Sequence, residues 1–270
     1  MIDIHTHILP YLDDGPTNWD ASLEIVKNAE KMGITKIICT PHFIKGNYDN
    51  YYSKIIPIFE KFKELVKNEK INVELYAGCE IYFDTDILDS LLKKDLMPLN
   101  NGKYILIEFP MVSVPKGAIE IFYKLQLKGY YPILAHPERN QEIINNFDII
   151  KEFTKRNVFV QTNSGSLLGY YGNKIKDIAI EMIREKQVTF IASDIHNTEK
   201  KLFDFSKCIS IISKYIEMEK AVTYITENPL KIIKSEEIEE EEIEIERKGK
   251  LSQFIKNILG GSNNDKKGYF

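Results

Sequence analysis

Tyr131-Pro132-Ile133-Leu134-Ala135-His136-Pro137-Glu138-Arg139 is an apolar run that stops at a histidine. A run of that length and composition suits a strand buried on both faces, and the polar cluster behind it then sits where the strand ends. The same juncture recurs along the chain. Asp3-Ile4-His5-Thr6-His7 stands at the beginning, Thr40-Pro41-His42 closes the run 36–40, and Ser193-Asp194-Ile195-His196 closes 189–192. Glu80 follows the run 73–77, and Glu108 falls in the end of 104–109. All five histidines lie in these clusters, so none is left over for a routine core position.

Between the strand candidates, which also include 158–162, apolar residues recur at three-and-four spacing. Ile55, Ile58, Phe59, Phe62 and Leu65 are an example. The spacing predicts helices over 20–31, 51–68, 116–128, 147–155, 174–185 and 205–217. Strand then helix, repeated, argues for an α/β fold with a parallel sheet. An open doubly wound sheet gathers ligands only near its switch point, whereas here strand after strand ends in a polar cluster. Converging strand ends of that number favour a barrel, not necessarily eightfold.

With 270 residues, 43% of them hydrophobic, the chain can bury one substantial core. Its net charge of −4 lacks the basic face that a nucleic-acid partner needs. Cys39, Cys79 and Cys208 are too few and too scattered for a disulfide framework or a thiolate zinc cage, which fits a reducing cytoplasm. With His5 and His7 so near the first residue there is no room for a leader ahead of them. No apolar run is long enough to span a bilayer, so a soluble cytoplasmic protein is expected.

In His5-Thr6-His7 the alternation of a strand points both imidazoles to one side, and Asp194 and His196 repeat that spacing. Imidazoles and carboxylates without thiolate suit manganese, iron or zinc in a polynuclear site. A lone His-x-His is a weak signal, and Glu80 or Glu108 alone reads equally as a helix cap or the partner of a lysine. Asp14, in Asp13-Asp14-Gly15, reads as a ligand or as a turn carboxylate. Arg139 is one of four arginines, and the other three stand in helix or tail contexts. It reads as an anion contact or as a salt bridge to a neighbouring carboxylate.

In order, His-x-His, Asp-Asp-Gly, Thr-Pro-His, Gly-x-Glu, Ile-Glu-Phe, Ala-His-Pro-Glu-Arg and Ser-Asp-x-His resemble the PHP (polymerase and histidinol phosphatase) superfamily. More closely the chain resembles the manganese-dependent tyrosine phosphatases of bacterial capsule and exopolysaccharide operons, the CpsB/CapC/YwqE type, from Met1 to about Pro229. That resemblance implies a distorted (β/α)7 TIM-like barrel holding three ions, manganese first, with iron or zinc as alternatives. One ion would take His5, His7, Glu80 and Asp194, a second Glu80, Glu108 and His136, and a third Asp14, His42 and His196. Arg139 would hold the substrate phosphate. The family's second arginine, a few residues after Ser-Asp-x-His, is absent, and Lys201 is its candidate replacement. A lysine gives a point charge where an arginine gives a planar fork.

The implied activity is hydrolysis of phosphotyrosine on an autophosphorylated bacterial tyrosine kinase that controls capsule or exopolysaccharide synthesis. Two other readings stay open: a histidinol-phosphatase-like phosphoesterase for a small metabolite, and a non-catalytic regulatory module that binds metal or phosphate. A cysteine-based tyrosine phosphatase is excluded, because no cysteine is followed by the arginine that ends a phosphate-cradling loop.

The segment from Phe43 to Tyr52 mixes aromatics with turn formers, as a substrate rim or as an ordinary helix approach. Residues 1–235 are read as the barrel, and 236–270 as an acidic linker, a short amphipathic helix carrying Leu251, Phe254, Ile255, Ile258 and Leu259, and a disordered tail. The oligomeric state is left open by the sequence.

Overall fold

The computed structural model describes residues 1–198 and 203–238. Its strands are β1 (Ile2–Thr6), β2 (Lys36–Cys39), β3 (His42–Phe43), β4 (Glu74–Ala77), β5 (Glu80–Tyr82), β6 (Tyr104–Glu108), β7 (Tyr131–Ala135), β8 (Phe159–Asn163) and β9 (Phe190–Ala192). They form two parallel sheets, in the orders β1-β2-β4 and β3-β5-β6-β7-β8-β9.

The two short strands β3 and β5 go beyond the sequence reading, and each prolongs the strand before it. Pro41, which has no N–H to give a ladder, separates β2 from β3. Gly78 separates β4 from β5, at a point where a Cβ would lie 2.9 Å from Leu99 and 3.1 Å from Ile38. Hydrogen bonds from Gly78 N to Cys39 O and from Glu80 N to Pro41 O carry the pairing across both interruptions. At the other edge, Asp194 N donates to His5 O at 2.9 Å and His7 N to Ile195 O at 2.8 Å, and Thr6 bridges Ile195 in parallel.

The helices are α1 (Trp19–Lys31), α2 (Tyr52–Asn68), α3 (Ile87–Leu92), α4 (Ala118–Leu127), α5 (Gln141–Asn145), α6 (Asp148–Thr154), α7 (Ser164–Leu168), α8 (Asn173–Arg184), α9 (Phe205–Ile212), α10 (Met218–Thr223) and α11 (Glu227–Lys234). The sequence pattern misses α3, α5 and α7, which are too short to show a helical period, and it does not reach α10 and α11, which follow its last helix. It also runs 205–217 together as one helix. The structure ends α9 at Ile212, where Tyr215 N turns back to Ile212 O and tightens the last turn, and Glu217 leaves the helical region before α10.

Alternation along the strands sorts the core into two layers. On β6, Ile105 and Ile107 join Leu134, Val160 and Ile191 under the helices, against Phe62, Phe122 and Phe153. Tyr104 and Leu106 face the other way, with Ile4, Ile133, Phe190 and Ile232 of α11. Strands buried on both faces explain their continuous apolar runs.

Glu236 and Glu237, at the head of the acidic run, are tied to the start of β6 and β7. The Tyr104 hydroxyl donates to Glu236 O and the Tyr131 hydroxyl to the Glu237 carboxylate. The run from residue 239 on, the apolar stripe and the tail lie outside the described residues, as does Lys201.

Candidate metal centre

Each strand end delivers its polar residue to one place. His5 Nε2 and His7 Nε2 stand 3.1 Å apart, and both approach Glu80 Oε2, at 3.1 and 3.2 Å, and Asp194 Oδ1, at 3.4 Å each. Donor atoms this close suit a first-row divalent cation, whose bonds to nitrogen and oxygen are roughly 2 Å.

Around this group, His136 Nε2 lies 3.0 Å from Glu80 Oε1 and 3.7 Å from Glu108 Oε1. His42 Nδ1 is 2.9 Å from Glu80 Oε2 and 3.8 Å from Glu108 Oε2. Asp14 Oδ1 stands 3.3 Å from His196 Nε2 and 3.7 Å from His42 Nε2. All nine residues proposed from the sequence as ligands are therefore brought together. The sets overlap, because His42 offers one nitrogen toward Glu80 and the other toward Asp14.

The neighbours of these side chains decide which nitrogens face inward. Gln161 Oε1 accepts from His5 Nδ1 at 2.8 Å, Asp13 Oδ2 from His7 Nδ1 at 2.8 Å, and Asp194 O from His196 Nδ1 at 2.9 Å. With Nδ1 protonated in each ring, the Nε2 lone pairs of His5 and His7 point at one another and at a carboxylate oxygen. Glu80 Oε2 has three imidazole nitrogens within 3.2 Å yet forms no hydrogen bond, although it is fully buried. Lone pairs crowded about a buried anion repel unless positive charge lies among them, so the donor set fits divalent cations.

The electrostatics agree. Burial opposes a charge on Glu80, but the imidazoles of His5, His42 and His136 hold its carboxyl well below the usual range. Asp194 is likewise buried and held low by His5, His7 and His136. Asp14 falls to about 2, mainly through its hydrogen bond to His196. Glu108 goes the other way, raised by burial and by the charge of Glu80. Burial disfavours protonation of His7 and His136, but the Asp13 charge pushes His7 well up and the Glu80 contact lifts His136 to about 9. Imidazole protons thus compensate the carboxylates, and cations that displace those protons supply the same compensation.

Two of the candidate ligands sit on left-handed backbone that non-glycine residues rarely adopt, His136 at φ 30° and Asp194 at φ 54°. Such strain clusters at functional sites. Arg139 Nη1 donates to Asp194 Oδ2 at 2.9 Å, and its side chain is a quarter exposed. Both sequence readings of Arg139 thus meet in one geometry, since its carboxylate partner belongs to the cluster. Of the candidate rim, Tyr48 stacks on His42 with ring planes 11° apart, whereas Phe43 is buried against Tyr51.

Sequence reasoning missed the supporting residues Asp13, Gln161, Asn163 and Glu138. Gln161 Nε2 donates to Asn163 Oδ1 at 2.8 Å, and Asn163 Nδ2 to Asp194 Oδ2 at 2.7 Å. Glu138 Oε1 accepts from Asn163 N and Ser166 Oγ. The available signal was the alternation Gln161-Thr162-Asn163, two amides on one face at the end of a buried strand. Cys39, Cys79 and Cys208 are buried, and burial pushes each thiol up.

Comparison with known proteins gives a consistent picture. The chain is 36% identical to the tyrosine-protein phosphatase YwqE of Bacillus subtilis (strain 168) over 239 residues, 88% of this chain and 93% of that protein. It is 31% identical to the tyrosine-protein phosphatase CpsB of Streptococcus pneumoniae over 238 residues, 86% and 98% of the two chains. Crystal structures of YwqE and CpsB, described as unique metal-dependent tyrosine phosphatases, include a chain that superimposes with a TM-score of 0.85 at 36% identity, over 88% of this chain and 96% of that one. The lactonase Lmo2620 of Listeria monocytogenes shares the fold alone, with a TM-score of 0.59 at 10% identity over 87% of this chain and 95% of that one. The family model for capsular polysaccharide synthesis proteins CpsB/CapC matches residues 1–234, and the chain belongs to that family.

Proposed function

We propose that this chain is a metal-dependent protein-tyrosine phosphatase on a distorted seven-stranded (β/α) barrel. Continuity of β2 with β3 and of β4 with β5, together with the bonds from Asp194 and His7 across to β1 and Ile195, supports that closure. The observation that carries the function is Glu80 Oε2, buried without a hydrogen bond among the nitrogens of His5, His7 and His42.

Three ions are proposed. His5, His7, Glu80 and Asp194 would hold one, Glu80, Glu108 and His136 a second, and Asp14, His42 and His196 a third. The all-nitrogen-and-oxygen donor set suits manganese, with iron or zinc as alternatives. Bound there, such ions supply Lewis-acid charge and activate water for attack on phosphorus. Arg139 would bind the phosphate and neutralise its oxygens as charge develops, with Lys201 as a second cation. Tyrosinate, with a pKa of about 10, leaves with little protonation, so the chain needs no strong general acid for an aryl ester.

The proposed target is an autophosphorylated bacterial tyrosine kinase of capsule or exopolysaccharide synthesis, met in the cytoplasm. Among the described residues no helix is long and apolar enough to cross a membrane. Assays on a phosphotyrosine peptide, p-nitrophenyl phosphate and histidinol phosphate, with manganese and with chelator, test the proposal. It expects metal-dependent turnover that favours the peptide. Turnover surviving complete metal removal, or preference for histidinol phosphate, would overturn it.

A further inference from the structure

We propose that Tyr171 is a positioning residue that sets the plane of the Arg139 guanidinium for phosphate binding. The inference rests on Arg139 as the phosphate-binding group. The Tyr171 ring lies against the guanidinium, with Arg139 Cζ 4.8 Å from its centroid. Asp194 Oδ2 holds one edge of the same group through Nη1 at 2.9 Å. A guanidinium held at one nitrogen by a single hydrogen bond still turns about that bond. A ring packed beside Cζ narrows that rotation. Ring and hydrogen bond together favour one orientation, in which the remaining N–H groups form a fork.

Tyr171 is held firmly enough to serve. The helix α7 ends at Gly169, left-handed at φ 87°, and the chain turns again at Gly172, φ 91°. Tyr170 N donates to Gly165 O at 2.9 Å and Gly172 N to Gly169 O at 3.2 Å, which braces the turn that carries Tyr171. That turn is also tied to the Arg139 segment. Ser166 Oγ of α7 and Asn163 N both donate to Glu138 Oε1, at 2.7 and 2.8 Å, and Glu138 is the residue before Arg139. The two partners of the stack therefore share one buried anchor. A preformed fork loses less rotational freedom when phosphate binds, so the benefit appears in substrate affinity.

The test uses the manganese-loaded full chain and a phosphotyrosine peptide. Tyr171→Leu and Tyr171→Ser are each expected to raise KM and the inhibition constant of inorganic phosphate by the same factor, roughly 3- to 30-fold, with kcat and metal content unchanged. Tyr171→Phe, which keeps the ring, is expected to restore both constants. In an Arg139→Ala background, Tyr171→Leu should add nothing. If Arg139→Ala raises KM and the Tyr171 variants do not, the inference is overturned. Additive effects in the double variant, or loss of metal from Tyr171→Leu, would overturn it too. If Arg139→Ala itself leaves KM unchanged, it is the reading of Arg139 that fails.

Discussion

His7 Nδ1 stands 2.8 Å from Asp13 Oδ2, and that one contact fixes which nitrogen of His7 turns toward His5, Glu80 and Asp194. Asp13 is held in turn by the backbone N–H groups of His42 and Gly15, at 2.9 and 3.0 Å. A carboxylate behind a ligating imidazole fixes its tautomer and raises its basicity. Asp13→Ala should therefore weaken metal binding by about 10- to 100-fold. Activity titrated against manganese should show a shifted midpoint and a recovered plateau at excess metal. An unshifted midpoint would show that Asp13 has no such role.

Metal removal should also lower stability. His5, Glu80 and Asp194 come from three separate segments, so an ion among them binds the folded chain and not the unfolded one. At a free concentration of 100 times Kd such binding stabilises by about 2.7 kcal/mol. Chelator should lower Tm and manganese restore it. In Glu80→Gln the manganese-dependent rise should largely vanish together with turnover. A Tm indifferent to chelator in the native chain would contradict the proposed centre.

Much of this centre was legible because charge and imidazole are scarce at the ends of apolar runs. His136 behind 131–135 is the plainest case, and the structure places the strand at those residues. His42 and Glu80 were legible as site residues but not as strands. β3 has two residues and β5 has three, too few for a period, and their pairing depends on neighbours distant in sequence. The strand β8 was legible as a strand but not as part of the site, because amides carry no charge and Gln161 and Asn163 resemble any polar strand end. How the ligands divide among ions depends on distances of 3 to 4 Å set by the fold, and no spacing in the sequence encodes them. Tyr171 was illegible for a related reason. Nothing in a Gly-Tyr-Tyr-Gly turn says which ring meets an arginine.

The thiols give a prediction with a clear sign. Burial raises the pKa of Cys39, Cys79 and Cys208, and the thiolate is the form that reacts. A disulfide reagent such as dithionitrobenzoate at pH 8 should leave all three unmodified until denaturant is added, with turnover unaffected. Rapid labelling of the folded protein accompanied by loss of turnover would contradict the metal-based mechanism and revive a cysteine nucleophile.

A chain of amides links two candidate ligands that stand far apart in sequence. His5 Nδ1 donates to Gln161 Oε1, Gln161 Nε2 to Asn163 Oδ1, and Asn163 Nδ2 to Asp194 Oδ2. Each bond fixes the orientation of the next, so the chain acts as a unit that aims His5 Nε2 and the Asp194 carboxylate at one centre. Asn163→Ala leaves Gln161 free to turn its amide, and Gln161→Leu removes the acceptor from His5 directly. Each substitution should weaken manganese binding, and the double variant should lose less than the sum of the two, since either break disables the same chain. Manganese titrations of the three variants measure this. Strict additivity would mean that Gln161 and Asn163 support the centre independently, each through its own ligand.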